Sequence, residues 1–185
     1  HIAPSCDVDL VQAARDVADA AAPLTRERGI TLEMALPTES VHVTGDRDQI
    51  VQVIQNLVDN ALNYSTPGGT VKLTLTAGLS TEAAAAGDRP GAARLSLLAP
   101  DHAQDLYAAV RIADVGAGIA REHLPRLTER FYRVEGQKSG GRSGTGRGLA
   151  IVKHIMNRHR GGLAVESQPG EGTTFTAYWP LRREA

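Results

Sequence analysis

The spacing of apolar residues along the 185-residue chain changes period several times, and each change marks an element. Leu10, Ala14, Val17, Ala18 and Ala21 recur at helical intervals over residues 9 to 28, with Asp7 or Asp9 placed to cap. Pro23 disturbs that pattern and Gly29 ends it. The runs "ITLEMAL" and "VHVTG" alternate apolar and polar positions and predict two strands. The best helix covers residues 46 to 64, with Ile50, Ile54, Leu57, Val58, Ala61 and Leu62 on one face. Asp46 followed by Gln49 predicts an Asp form of the capping box at its start. It stops at "STPGG", and "TVKLTLTAG" alternates as a strand.

Residues 78–105 are rich in Ala, Gly and Pro, and the reading there is an insertion with a short strand at "ARLSLL". Beyond it, "LYAAVRIADVG" predicts a strand and "GIAREHLPRLTER" one or two short helices broken at Pro125. Residues 134 to 147 form a polar, glycine-rich stretch that runs into a helix from Gly148 to His159, closed by Gly161 and Gly162. "GLAVESQ" and "TTFTAYWPL" make a last pair of strands around "PGEG". Strands in separate runs with helices between them, joined by hairpin-like ends, predict an α+β sandwich: one mixed sheet covered on one face by about three helices.

Composition narrows the function classes. Twenty Lys and Arg balance 21 Asp and Glu, so nothing in the overall charge recruits nucleic acid or a membrane surface. The single Cys6 excludes an internal disulfide framework and a cysteine metal cage and points to a reducing compartment. No apolar run approaches the roughly 20 residues of a membrane span. "HIAPSCDVDL" carries neither a start methionine nor a signal-peptide layout, and the chain reads as a piece of something longer.

Three places could carry chemistry. Asn56, Asn60 and Asn63 fall on one side of the helix at 46 to 64, roughly opposite its apolar stripe. Such amides offer neutral oxygen ligands to a hard cation such as Mg²⁺, although a solvated polar face explains them equally. "DVGAGI", Asp114 to Ile119, puts a carboxylate at a strand end, able to accept from an exocyclic amine, before glycines that let a flat ring approach the backbone; a strand-ending turn is the alternative. In "SGTGRGLAIVKHI", Gly144, Gly146 and Gly148 alternate with Thr145 and Arg147 directly before a helix, where free N–H groups and the macrodipole favour an anion. The spacing is neither that of a Walker loop nor that of a dinucleotide fingerprint. Arg130, Arg133, Lys138 and Arg142 surround the same stretch.

Taken in order, "NLVDNALNYS", "DVGAGI", "ERFYRVE", "SGTGRGLAIVKHI" and "GEGTTF" resemble the N box, first glycine motif, F box, second glycine motif and closing glycine-threonine motif of sensor histidine kinase catalytic domains. These belong to the wider group of gyrase, Hsp90, histidine kinase and MutL-type ATP-binding domains. The style is similar to PhoR-type phosphate-sensing kinases. The resemblance implies a Bergerat-type two-layer sandwich, its mixed sheet mostly antiparallel, with a flexible ATP lid at residues 132–147. It divides the chain into a leading segment, 1–29, that follows a dimerisation domain, and a catalytic domain, 30–185.

Position by position, the resemblance makes Asp114 the acceptor of the adenine amino group, with Gly116, Gly118 and Ile119 beside it. Asn60 would ligate Mg²⁺ and Asn56 would face the phosphates. Gly144, Thr145, Gly146, Gly148 and Leu149 would wrap the phosphates, Tyr64 and Thr173 would line the base and ribose, and Arg133 with Lys138 or Arg142 would meet the γ-phosphate. The related ATPases use a Glu as general base where this chain has Asn56; an amide cannot take a proton, so the γ-phosphate of ATP is expected to be held intact for a protein nucleophile.

None of the six histidines stands in the family's phosphoacceptor setting, including His123, which precedes Leu124 and Pro125. The implied partners are therefore a dimerisation and phosphoacceptor domain of the same protein and a response regulator receiver domain. The expected location is cytoplasmic, with no nucleic acid and no membrane contact by this segment. The sequence departs from the family at Asn63, usually Lys or Arg, and at Arg147, usually Leu. Those departures keep open a catalytically weak nucleotide-sensing module as the alternative.

Overall fold

The structure is a computed structural model that describes residues 5–101, 105–132, 134 and 148–182. A four-residue strand, β1 (Cys6–Asp9), leads into α1 (Leu10–Arg28) and pairs antiparallel with β3 (His42–Gly45). A second sheet holds the other six strands: β2 (Thr31–Ala35), β4 (Thr70–Leu79), β5 (Ala93–Leu98), β6 (Tyr107–Ala113), β7 (Gly162–Gln168) and β8 (Gly172–Pro180). Their spatial order is β2-β4-β6-β8-β7-β5, with β2 parallel to β4 and every other pair antiparallel. The predicted α+β sandwich with a mixed, mostly antiparallel sheet is therefore the observed one.

Three helices cover one face: α1, α2 (Arg47–Tyr64) in the middle, and α4 (Gly148–Arg158). Strand alternation supplies the facing surface. Val71, Leu73 and Leu75 of β4, Val110 and Ile112 of β6, Phe175, Ala177 and Trp179 of β8, and Leu163 and Val165 of β7 meet Ile50, Ile54, Leu57, Val58 and Leu62 of α2 in one core. Each such fully buried side chain contributes about 2 kcal/mol. Alternate residues of the same strands point the other way. Tyr107, Ala109 and Tyr178 form a second cluster beneath Ala84 of the short helix α3 (Thr81–Ala85), and the two tyrosine rings meet edge to face at 5.4 Å.

Local signals were read correctly in kind and corrected in detail. Asp9 caps α1, accepting from the Val11 N–H at 3.0 Å, and Gly29 ends it in the left-handed conformation. Pro23 does not interrupt the helix: its missing N–H orphans only the Asp19 carbonyl, and both residues lie on the exposed side, where water substitutes. Asp46 caps α2 through the Gln49 N–H at 3.2 Å, but the buried Gln49 Oε1 has no partner, so the capping box is only half made. The segment after β6 holds one 3₁₀ turn, Arg121–Arg126, that continues through Pro125, in place of α-helices. Residues 78–98 of the stretch read as an insertion contain the end of β4, α3, and β5, which extends the sheet beyond β7.

Candidate functional site

The site begins where β6 ends. Alternation along β6 turns Ile112 toward the helical layer and brings Asp114 out on that same side. The residue is 6% exposed, and its Oδ1 accepts the backbone N–H of Gly116 at 3.0 Å and of Thr173 at 3.1 Å. Both donors use the same oxygen, which leaves Oδ2 for an external donor. Burial pushes the Asp114 carboxyl above the ordinary carboxylate range, opposed by those two N–H groups and by the Arg89 guanidinium.

The loop after Asp114 is locked by backbone. A Cβ on Gly116 would collide with the Tyr64 carbonyl at the end of α2, where Ser65 and Gly116 form a bridge. Gly118 has φ +73°, and a Cβ there would collide with the Gln168 carbonyl. The glycines expected to admit a ring are thus required first by the fold, because carbonyls of α2 and β7 fill the space a side chain would take. Thr66 Oγ1 donates to the Val115 carbonyl at 3.1 Å, tying the end of α2 to the same loop.

Ser167 closes the other side and was not singled out in the sequence. Its Oγ accepts the Ile119 N–H at 2.7 Å, donates to the Gly172 carbonyl at 3.0 Å and lies 2.7 Å from Thr173 Oγ1. The signal was present: alternation in "GLAVESQ" puts Leu163, Val165 and Ser167 on one inward face, so Ser167 is a hydroxyl at a core position. Thr173 is itself buried, with Ser167 Oγ as its side-chain partner.

From Tyr64 and the Asp114 loop, α2 runs back about 12 Å to Asn56. Asn56, Asn60, Asn63 and Tyr64 are all half-buried, whereas Asp48, Gln52 and Gln55 are fully exposed. The polar side that carries the asparagines is thus partly covered, and Asn56 lies against the start of α4. Asn56 Nδ2 donates to the Gly148 carbonyl at 3.4 Å. The side chain of Asn60 makes no hydrogen bond among the described residues, and Asn63 Oδ1 is buried without a partner. Among the described residues, a Cβ built on Gly148 at the start of α4, next to Leu149, would meet nothing within 4 Å.

Arg133, Lys138, Arg142, Gly144, Thr145, Gly146 and Arg147 lie outside the described residues. His123 sits in the 3₁₀ turn with its Nδ1 against the Tyr132 hydroxyl. Among the described residues no group of His, Cys, Asp and Glu side chains could cage a metal, and no helix is long and apolar enough to cross a membrane. The free amide of Asn60 suits a hard cation that takes its remaining oxygens from phosphates and water.

This arrangement has known counterparts. Residues 45–183 match the sequence model of the histidine kinase-, DNA gyrase B-, and HSP90-like ATPases. The phosphate regulon sensor protein PhoR of Pseudomonas aeruginosa is 36% identical over 83% of the chain, and the signal transduction histidine-protein kinase BaeS of Escherichia coli is 32% identical over 85%. The chain spans only 28% of the length of each. The mycobacterial sensor histidine kinase MprB superposes with a TM-score of 0.68 at 26% identity, covering 97% of this chain and 99% of that structure.

Proposed function

Because the chain belongs to the histidine kinase-, DNA gyrase B-, and HSP90-like ATPase family, we propose that it is the ATP-binding catalytic domain of a two-component sensor histidine kinase. In this reading it transfers the γ-phosphate to a histidine on a separate dimerisation domain, for relay to a response regulator. The observation that carries it is the Asp114 carboxylate, buried and held through one oxygen, at the end of a row of asparagines that leads to the start of α4.

Asp114 Oδ2 accepts the adenine amino group, with Gly116, Gly118 and Ile119 shaping the loop and Tyr64 and Thr173 at the base end. Asn56 and Asn60 face the phosphates, which meet the first N–H groups of α4 at Gly148 and Leu149. Gly144, Thr145 and Gly146, with Arg133 and Lys138 or Arg142, supply the lid side. Asn60 would hold Mg²⁺, which would supply neutralisation of the phosphate charge. A histidine nitrogen bonds the γ-phosphorus as the bond to the bridging oxygen breaks, and ADP leaves with that electron pair. With Asn56 in place of a carboxylate no side chain there deprotonates water, so positioning and charge neutralisation carry the rate. The location that follows is the cytoplasmic part of a sensor kinase.

The buried, unpartnered Asn63 Oδ1 favours a second reading, a nucleotide-binding module with little transfer activity. Mixing the domain with an acceptor-helix domain and γ-labelled ATP separates the two. Label on the acceptor histidine is the expected result; nucleotide binding without label would establish the second reading.

A further inference from the structure

The back face of the sheet, opposite the three helices, carries a charged cluster directly behind Asp114. Arg89 lies in the connection between α3 and β5, in the stretch whose sequence was least readable. Its Nη2 donates to the Asp114 carbonyl at 2.6 Å and to the Thr173 carbonyl at 3.3 Å, its Nε to Thr174 Oγ1 at 2.9 Å, and its Nη1 to the Glu171 carbonyl at 3.4 Å. One planar fork thus spans the end of β6 and the start of β8, the two segments whose other side forms the Asp114 carboxylate and its Thr173 N–H donor.

Arg89 is itself fixed. The buried Glu166 carboxylate of β7 accepts the Asp88 N–H at 3.0 Å and the Arg89 N–H at 3.3 Å, and pairs with Arg94 Nε at 2.9 Å. Arg94 Nη2 returns to the Arg89 carbonyl at 3.0 Å. Burial would raise the Glu166 carboxyl, but the Asp88 N–H and the Arg94 guanidinium outweigh it and hold the group below its ordinary range. The clamp therefore keeps its anionic anchor throughout the neutral range.

We propose that Arg89 is a positioning residue for the base-recognition carboxylate: from the back of the sheet it locks the β6–β8 junction and so fixes Asp114 toward the nucleotide. Three of its contacts are to backbone carbonyls at the end of the β6–β8 ladder, where the Thr173 carbonyl also accepts the Asp114 N–H at 2.9 Å, and the fourth is to the Thr174 hydroxyl. Loss of the guanidinium frees Asp114, Thr173 and Glu171 together, and also removes a positive charge from behind the carboxyl. Among the described residues, the charged and titratable groups on the elements that meet at Asp114 are then Glu166 and Arg94, paired with each other on the back face, the exposed Glu171 in the β7–β8 turn, and Tyr64 at the end of α2.

The proposal rests on the adenine-binding reading of Asp114, so the decisive measurement does not need nucleotide. The Asp114 carboxyl is titrated by carbon-detected NMR in wild type and in Arg89→Met, and ADP affinity is measured at neutral pH. The expected result is a titration midpoint moved upward in Arg89→Met, together with roughly tenfold weaker ADP binding. Arg89→Lys, which keeps charge and stem and so protects against failure to fold, restores most of the midpoint but not the affinity, because a single ammonium cannot span the carbonyls. An unmoved midpoint with unchanged ADP affinity overturns the role of Arg89. A moved midpoint in a protein whose wild type binds no ADP supports the coupling of Arg89 to the carboxylate and overturns the nucleotide reading instead.

Discussion

The two ends of the candidate site are built on opposite principles. At the base end, Asp114, Gly116, Gly118, Ser167 and Thr173 are interlocked through backbone groups, and even the space a Cβ would take is occupied by carbonyls. At the end proposed for the phosphates, Asn56 makes one long hydrogen bond, Asn60 makes none among the described residues, and a Cβ on Gly148 at the start of α4 would meet no described atom. On the proposed assignment, recognition of a base would be preorganised in the fold, whereas the grip on phosphates would be left for the ligand to complete. A substitution at the first end that breaks the backbone interlock should cost stability as well as binding; substitution at the second should cost binding alone.

The largest effect expected from breaking this contrast is at Gly118. Gly118→Ala forces a side chain into a left-handed backbone and against the Gln168 carbonyl, and should lower stability by about 3 kcal/mol, or roughly 10 °C in melting temperature. Thermal unfolding followed by circular dichroism checks it, and a melt within a degree of wild type would refute the interlock. Asn60→Ala should weaken nucleotide binding about tenfold only when Mg²⁺ is present, with an unchanged melting temperature. Titrations with and without EDTA test this, and an equal loss in both would remove Asn60 from the cation.

A smaller, pH-dependent effect concerns how the two ends are joined. The buried His159, just beyond α4, donates from Nδ1 to the Ile155 carbonyl at 2.8 Å and accepts the Asp46 N–H on Nε2 at 3.0 Å, pinning the end of α4 to the start of α2. Burial holds its imidazole below the ordinary value of 6.5, opposed by the Ile155 carbonyl and Asp46. The unfolded chain therefore binds the proton more readily, so stability is full above 6.5 and falls as the pH drops below it toward the folded-state value. Melting temperatures from pH 8 to pH 5 should decline in wild type and flatten in His159→Gln; parallel curves would show that this ring does not titrate with folding.

Legibility in the sequence followed the range of the interactions. α2 was readable because its cap and its apolar stripe are local, and Asp114 because a carboxylate at a strand end before glycines is a local pattern. That α4 partly covers the asparagine side was not legible, since helical periodicity gives angles within one helix and not the position of α4. Arg89 was invisible for a stronger reason. The partners of its guanidinium lie 25 to 85 residues away, and the Ala, Gly and Pro around it carry no periodicity to place the segment behind the sheet. The reason for Gly116 and Gly118 was likewise hidden, because the carbonyls that exclude a side chain belong to α2 and β7.

The central claim, that Asp114 is a preorganised acceptor for an adenine amino group, is tested most directly by titrating ATP with Mg²⁺ into wild type and Asp114→Asn by calorimetry, with melting curves on both. The account predicts binding by wild type, a loss of about a hundredfold in Asp114→Asn, whose amide nitrogen repels the amine, and nearly unchanged stability, since Asn can still accept the Gly116 and Thr173 N–H groups. No heat from wild type at millimolar nucleotide, or equal affinity in the two proteins, would contradict it.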